Sequence, residues 1–259
     1  MNEEEKRIYL IRELIKEDPK LGSIEIPKDK EGQKILLRSL MNIRVPKEIR
    51  KGFLEIQDSY LQDILKEKKI TRISDIIPIV DDIYIFKGDI TTIECGAIVN
   101  AANSGMTGCY VPCHNCIDNA IHTYAGIELR AECAEIMRKQ GHVEPTGSAK
   151  ITGAYNLPSR YVIHTVGPIV RGSLREKHCR ELESCYYSSL RLADENNVDS
   201  IAFCCISTGV FMFPRERAAE IAISTVKRYK AETGSRIKVV FNVFKEDDER
   251  IYRRLLSRA

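Results

Sequence analysis

The chain has 259 residues, 43% of them hydrophobic and 30% charged, the balance of a globular protein rather than a disordered one. Lys and Arg number 40 against 37 Asp and Glu, a net charge of +3, which is too small to argue for a nucleic-acid partner. The longest apolar runs are strand-length and the opening MNEEEKRIYL lacks the apolar core of an export signal, so neither a membrane span nor secretion is expected, and a reducing cytoplasm is the default setting.

In chain order, residues 1–72 read as a helical N-terminal extension. Ile8, Ile11, Leu14 and Ile15 lie on one helix face, and Pro19 and Gly22 end that helix. A second helix is predicted over Gln33–Met41, and a third after Pro46 with Phe53, Ile56, Tyr60, Leu61 and Leu65 on a common stripe. These stripes must be buried, so the extension is expected to pack as a cap that helps shape access to the rest of the chain. From residue 73 to 259 short β-rich runs alternate with helical ones. Strands are predicted at Ile83–Phe86, Ala97–Val99, Tyr161–Thr165, Ile201–Cys205 and Ile237–Val243. Helices are predicted at Ile117–Arg138, Leu174–Glu195, Pro214–Lys230 and Asp247–Ser257. Such alternation predicts an α/β fold with helices covering a buried sheet.

Ligands of α/β sheets bind where loops leave the carboxyl ends of strands. Four such loops have unusual composition. Gly88-Asp89-Ile90-Thr91 offers either a plain Gly-Asp turn or a carboxylate that accepts from a ligand amine. Asn100-Ala101-Ala102-Asn103 lets a ligand approach the backbone, and the Asn103 amide is both donor and acceptor; a capping role is the alternative. The loop Ser207-Thr208-Gly209-Val210-Phe211-Met212-Phe213-Pro214 leads into a helix. Its N–H groups suit a diphosphate and its aromatic rings a sugar; a plain strand-to-helix turn is the alternative.

The fourth loop is the most informative. Cys109, Cys113, His114 and Cys116 fall within eight residues, out of nine cysteines in all. In a cytosolic chain such clusters bind metal or react rather than form disulfides. Cys113 and His114 are adjacent, so their side chains tend to diverge and Cys109, His114 and Cys116 form the best-separated set; Cys113 either substitutes for a ligand or is a spectator, the latter being the favoured reading. Three protein ligands leave a fourth zinc position open, the arrangement of a catalytic rather than a structural ion. Buried free cysteines beside a surface histidine are the alternative. His122, four residues after Asp118, is expected to make a local contact, and His164 to pack inside.

Taken in order, GDIT at 88–91, IVNAAN at 98–103, IDNAIH at 117–122, HTVGP at 164–168 and STGVFMFP at 207–214 resemble the signature of a macrodomain. The resemblance runs from about Ile83 to near the C-terminus. Where most macrodomains carry a glycine-rich loop, this chain has the Cys109–Cys116 insert, and with the helical extension that resembles the zinc-containing microbial class of protein-ADP-ribose hydrolases. The resemblance implies a three-layer α/β/α mixed sheet. It implies that Asp89 accepts from the adenine amine beside the Ile90 backbone, and that Ser207, Thr208, Gly209, Val210 and Phe211 wrap the diphosphate. Asn103 would hydrogen-bond the distal ribose, with Zn2+ on Cys109, His114 and Cys116 beside it. Ile117 and Asp118 would lie at the loop-to-helix junction, with Asn103 and Asp118 as the catalytic candidates; helix capping is the rival role for Asp118.

The expected activity is zinc-dependent hydrolysis of mono-ADP-ribose from modified protein side chains. By the same resemblance the linkage is to an acidic residue, made by a sirtuin-like transferase on a lipoyl-carrier protein. Two other activities share the pocket: non-catalytic ADP-ribose binding, and deacetylation of O-acetyl-ADP-ribose.

Overall fold

A computed structural model describes residues 1–257. The extension forms three helices, α1 (Glu3–Lys16), α2 (Lys30–Ile43) and α3 (Lys51–Glu67). Asn2 starts α1 with a reciprocal capping box to Glu5, and Asp29 caps α2 by accepting from the Gly32 N–H. Leu10, Ile11, Leu14, Leu37, Leu40, Phe53, Tyr60 and Leu61 close a core between the three helices, which follows the apolar stripes of the sequence.

The remainder is built on a sheet of six strands. In chain order its elements are β1 (Thr71–Arg72), β2 (Ile83–Lys87), β3 (Ile93–Glu94), β4 (Ala97–Ala102), α4 (Ile117–Ala125), α5 (Ile127–Gln140), β5 (Ala149–Gly153), β6 (Tyr161–Val166), α6 (Glu176–Glu195), β7 (Ser200–Phe203), α7 (Arg215–Thr233), β8 (Lys238–Val243) and α8 (Glu246–Ser257). The strand order is β2-β8-β7-β4-β6-β5. All pairs are parallel except β5 with β6, so the sheet is mixed as expected. Helices α4 and α5 pack on one side, while α6, α7 and α8 run side by side on the other. Ile98, Val99, Val162, Ile163, Ile201, Ala202, Val239 and Val240 are wholly enclosed between these layers.

The structure corrects several expected boundaries. The helix expected over Ile117–Arg138 is two helices, because Gly126 sits at φ 102°, ψ 171°, a backbone open only to glycine. The chain bends there against α3: a Cβ on Gly126 would lie 2.7 Å from the Gln57 amide nitrogen. Gln57 accepts from the Ile127 N–H at 2.9 Å and so does the capping that glycine cannot. Strand β4 runs on through Asn100, Ala101 and Ala102, which pair with His164, Thr165 and Val166; only Asn103 of the expected loop is outside it. Ala and Asn are weak strand formers, and the β6 ladder overrides them. Strand β7 ends at Phe203, before Cys204 and Cys205. The two-residue pair β1–β3 and the antiparallel edge strand β5 have little hydrophobic patterning to announce them.

Candidate functional site

A cleft of about 750 Å³ opens over the carboxyl ends of the parallel strands. Of the residues singled out in the sequence, Asp89, Ile90, His114, Cys116, Ile117, Ser207, Thr208, Gly209, Val210 and Phe211 line it. Cys109, Asn103 and Asp118 do not; Asp118 is buried, whereas Asn103 is exposed in the turn after β4.

At one end, Asp89 follows β2. Its Oδ1 accepts from the Thr91 N–H at 2.9 Å and the Thr91 hydroxyl at 2.6 Å, and its Oδ2 from Lys68 Nζ at 3.0 Å. The Gly-Asp turn and the cleft carboxylate are therefore one residue. Burial pushes its pKa up, but the Thr91 hydrogen bonds and the Lys68 charge outweigh that and hold it below the usual carboxylate value. The Lys68 ammonium also lies 3.5 Å from the centre of the Tyr124 ring.

The loop after β7 is shaped by close packing. Ser207 has φ 64°, and a Cβ on Gly167 would fall 2.1 Å from its hydroxyl, so the HTVGP segment needs glycine where this loop crosses it. Phe213 N–H donates to Ser207 O at 3.0 Å and Met212 N–H to Gly209 O at 3.0 Å. Among the described residues, the N–H groups of Gly209, Val210 and Phe211 make no hydrogen bond within the chain. These donors are available to an anion in the cleft. Phe211 lines the cleft, whereas Phe213 is core, which corrects the expectation that both rings can meet a sugar. Pro214 precedes α7 as its N-cap rather than opening it.

At the other end, ligand atoms of Cys109, His114 and Cys116 all lie within 4.8 Å of one another. Cys109 Sγ is 3.6 Å from His114 Nδ1. Two thiols and an imidazole, two of the three on the cleft wall, fit a zinc ion with an open position. Burial, with the Cys109 sulfur close by, pushes the Cys116 thiol up to about 11. Cys113 takes a left-handed φ of 52° and points away, its Sγ 3.3 Å from Ser39 Oγ. The divergence expected from its adjacency to His114 is thus realised.

Cys116 is the N-cap of α4, its sulfur accepting from the Asn119 N–H at 3.4 Å. Asp118 therefore does no capping. Its Oδ1 accepts from Asn100 Nδ2 at 2.8 Å, and its Oδ2 lies 3.4 Å from Asn103 Nδ2. Burial raises its pKa to about 6, against the opposing pull of Asn100, Arg130 and Asn103. Asn103 turns the loop by accepting from the Gly105 N–H at 2.9 Å and donating to Gly108 O at 3.1 Å. Gly108, at φ 82°, lies flat against His122: a Cβ there would be 2.8 Å from the ring.

His122 is buried and neutral, its pKa held well below normal by burial, so its 3.6 Å approach to Asp118 is a local contact and not an ion pair. His164 is enclosed too, with burial driving it down to about 3. A second convergence of His122, Cys133 and His164 lies wholly inside. There the His164 nitrogens already face Asn100 at 3.1 Å and Thr152 at 2.9 Å, which makes it an internal polar network.

Sequence reasoning missed Arg38, Lys68, Tyr124 and Phe244. The first three line the cleft or its rim from segments read as purely structural, and nothing in their local pattern marks them. Phe244 follows β8 directly, so the strand-end rule that found the other loops applies to it as well. Arg130, a buried charge on α5, donates to Cys109 O at 3.3 Å and stacks 4.3 Å from the Tyr110 ring.

Comparison with known proteins agrees with this arrangement. Residues 99–222 match the Macro domain family. A protein-ADP-ribose hydrolase of Treponema medium is 56% identical over 99% of this chain and 100% of its own length. A protein-ADP-ribose hydrolase of Staphylococcus aureus (strain MSSA476) is 46% identical over 96% of this chain and 94% of its own. The Trypanosoma brucei macrodomain in complex with ADP-ribose superposes with a TM-score of 0.65 at 30% identity, covering 84% of this chain and 94% of that one. The chain belongs to the macrodomain family of protein-ADP-ribose hydrolases.

Proposed function

We propose that this enzyme is a zinc-dependent hydrolase that removes mono-ADP-ribose from protein side chains. The observation that carries the reading is the convergence of Cys109, His114 and Cys116 at one end of a cleft whose other walls suit ADP-ribose. Asp89 accepts from the adenine amine, beside the Ile90 backbone. The N–H groups of Gly209, Val210 and Phe211 meet the diphosphate, with Ser207 and Thr208 holding the loop. This lays the distal ribose towards Asn103 and Cys116–Asp118. Zinc held by Cys109, His114 and Cys116 would supply Lewis-acid polarisation of oxygens at the distal ribose.

The side chains do the rest. Asn103, whose Nδ2 is taken up by Gly108 O and Asp118, accepts from a ribose hydroxyl through its Oδ1, and Asn100 and Asn103 hold the Asp118 carboxyl in one orientation. Hydrolysis breaks the bond between the ADP-ribose and the side-chain oxygen. Water supplies the hydroxyl for one fragment and the proton for the other. We assign the linkage to an acidic side chain and the substrate to a lipoyl-carrier protein modified by a sirtuin-like transferase. Both follow from resemblance to the zinc-containing class.

The test is a substrate comparison on the full chain. A mono-ADP-ribosylated protein and O-acetyl-ADP-ribose are offered separately, and free ADP-ribose or acetate release is timed. A higher kcat/KM on the modified protein is expected. Exclusive turnover of O-acetyl-ADP-ribose, or binding without release, contradicts the reading.

A further inference from the structure

Helix α2 reaches the metal-ligand loop. Asn42 Oδ1 accepts from the Cys113 N–H at 2.9 Å. Arg38 Nη2 donates to the His114 carbonyl at 3.2 Å. Arg38 Nε and Nη2 both donate to Asn119 Oδ1, at 3.2 and 2.7 Å. Asn119 in turn donates through Nδ2 to Val111 O at 3.0 Å and through its N–H to Cys116 Sγ at 3.4 Å. Among the described residues, Arg38 is the one group outside the loop that hydrogen-bonds His114. Arg38 also lines the cleft.

We infer that Arg38, on the helical extension, is a positioning residue for the metal site: it fixes His114 directly, and Cys116 through Asn119. The inference rests on the reading of the loop as a zinc site. Its physical basis is the planar guanidinium fork, which spans Asn119 and the His114 carbonyl at once; an ammonium on a flexible stem is a single point of attachment. Groups that orient metal ligands from behind typically change metal affinity by about 10- to 100-fold when removed. The extension thereby becomes part of the site rather than a separable cap.

The test uses the full chain as wild type, Arg38→Ala, Arg38→Lys and Gln62→Ala. Gln62 is the control. Its amide donates to Asn156 O at 3.1 Å, joining the extension to the α/β part at a place remote from the loop. Zinc affinity is measured by competition with a chromophoric chelator, and the visible spectrum is recorded after cobalt substitution. ADP binding by calorimetry reports the diphosphate loop independently. Arg38→Ala is expected to weaken zinc about 10- to 100-fold, with an altered cobalt spectrum and ADP affinity within about twofold of wild type. Arg38→Lys is expected to fall between, and Gln62→Ala to match wild type. Turnover should lose kcat more than KM in Arg38→Ala. Wild-type zinc affinity in Arg38→Ala, or an equal loss in Gln62→Ala, overturns the inference. If Arg38→Ala does not fold, a wild-type zinc affinity in Arg38→Lys overturns it instead. A wild-type chain that binds ADP but no zinc contradicts the zinc reading itself, a distinct result.

Discussion

At the residue scale, the proposed zinc chemistry rests on three ligand atoms and leaves out one neighbour. Cys109, His114 and Cys116 converge, whereas the left-handed backbone at Cys113 turns its sulfur towards Ser39. Cys109→Ala and Cys116→Ala should therefore lose zinc, and Cys113→Ala should keep it. Elemental analysis of each purified variant checks this. Matching losses in Cys113→Ala and Cys109→Ala would contradict the geometry. At the far end, Asp89 is shared between a turn, Lys68 and the cleft. On the proposed adenine contact, replacing it by Ala should remove a charge-assisted acceptor worth about 1.5–3 kcal/mol, or roughly tenfold or more in ADP-ribose affinity. Calorimetry showing unchanged affinity would remove Asp89 from the adenine site.

The elements explain what the sequence could reveal. The parallel strands were legible because their cores, such as Ile98-Val99 and Val162-Ile163, are apolar on both faces and are bounded by polar loops. The end of β4 was not, since Asn100-Ala101-Ala102 is held by the ladder to β6 rather than by its own propensity. The break between α4 and α5 was hidden for a related reason. Gly126 looks tolerable within a helix until α3 packs Gln57 against it. Of the site, the loop residues were readable from type and spacing. Arg38 and Lys68 were not, because their roles depend on the way the extension folds back. Gly126→Ala should test the break, since the backbone there costs a non-glycine residue about 1–3 kcal/mol, before the clash with Gln57 is counted. Urea unfolding should show the loss; unchanged stability would mean that the bend relaxes freely.

Across the whole molecule, the extension and the α/β part meet through buried polar contacts. Arg130 on α5 reaches the carbonyls of Met41, Asn42 and Arg44 at the end of α2, where a cation suits the free carbonyls of a helix C-terminus. Gln57 on α3 donates to Glu128 at 3.1 Å and to Asp58 at 3.1 Å. Burial, reinforced by the Asp58 carboxylate, raises Glu128 to about 7. A carboxyl with a folded pKa above its unfolded value keeps its proton in the native state while the unfolded chain has lost it. Stability then falls as pH rises from the usual glutamate range through about 7. Glu128→Gln should flatten that part of the stability–pH curve, measured by thermal unfolding at constant ionic strength. An unchanged slope would show that Glu128 titrates normally.

In the proposed reaction the parts act together at the carboxyl edge of the sheet: Asp89 and the Ser207–Phe211 loop would hold the nucleotide, and the Cys109–Cys116 loop would meet the distal ribose. The most direct test is the rate of ADP-ribose release from a mono-ADP-ribosylated protein, followed before chelation, after zinc removal, and after zinc is restored. Release should stop on removal and return with zinc, while the metal-depleted chain still binds ADP. An undiminished rate in protein shown by elemental analysis to hold no metal would contradict the zinc-dependent mechanism.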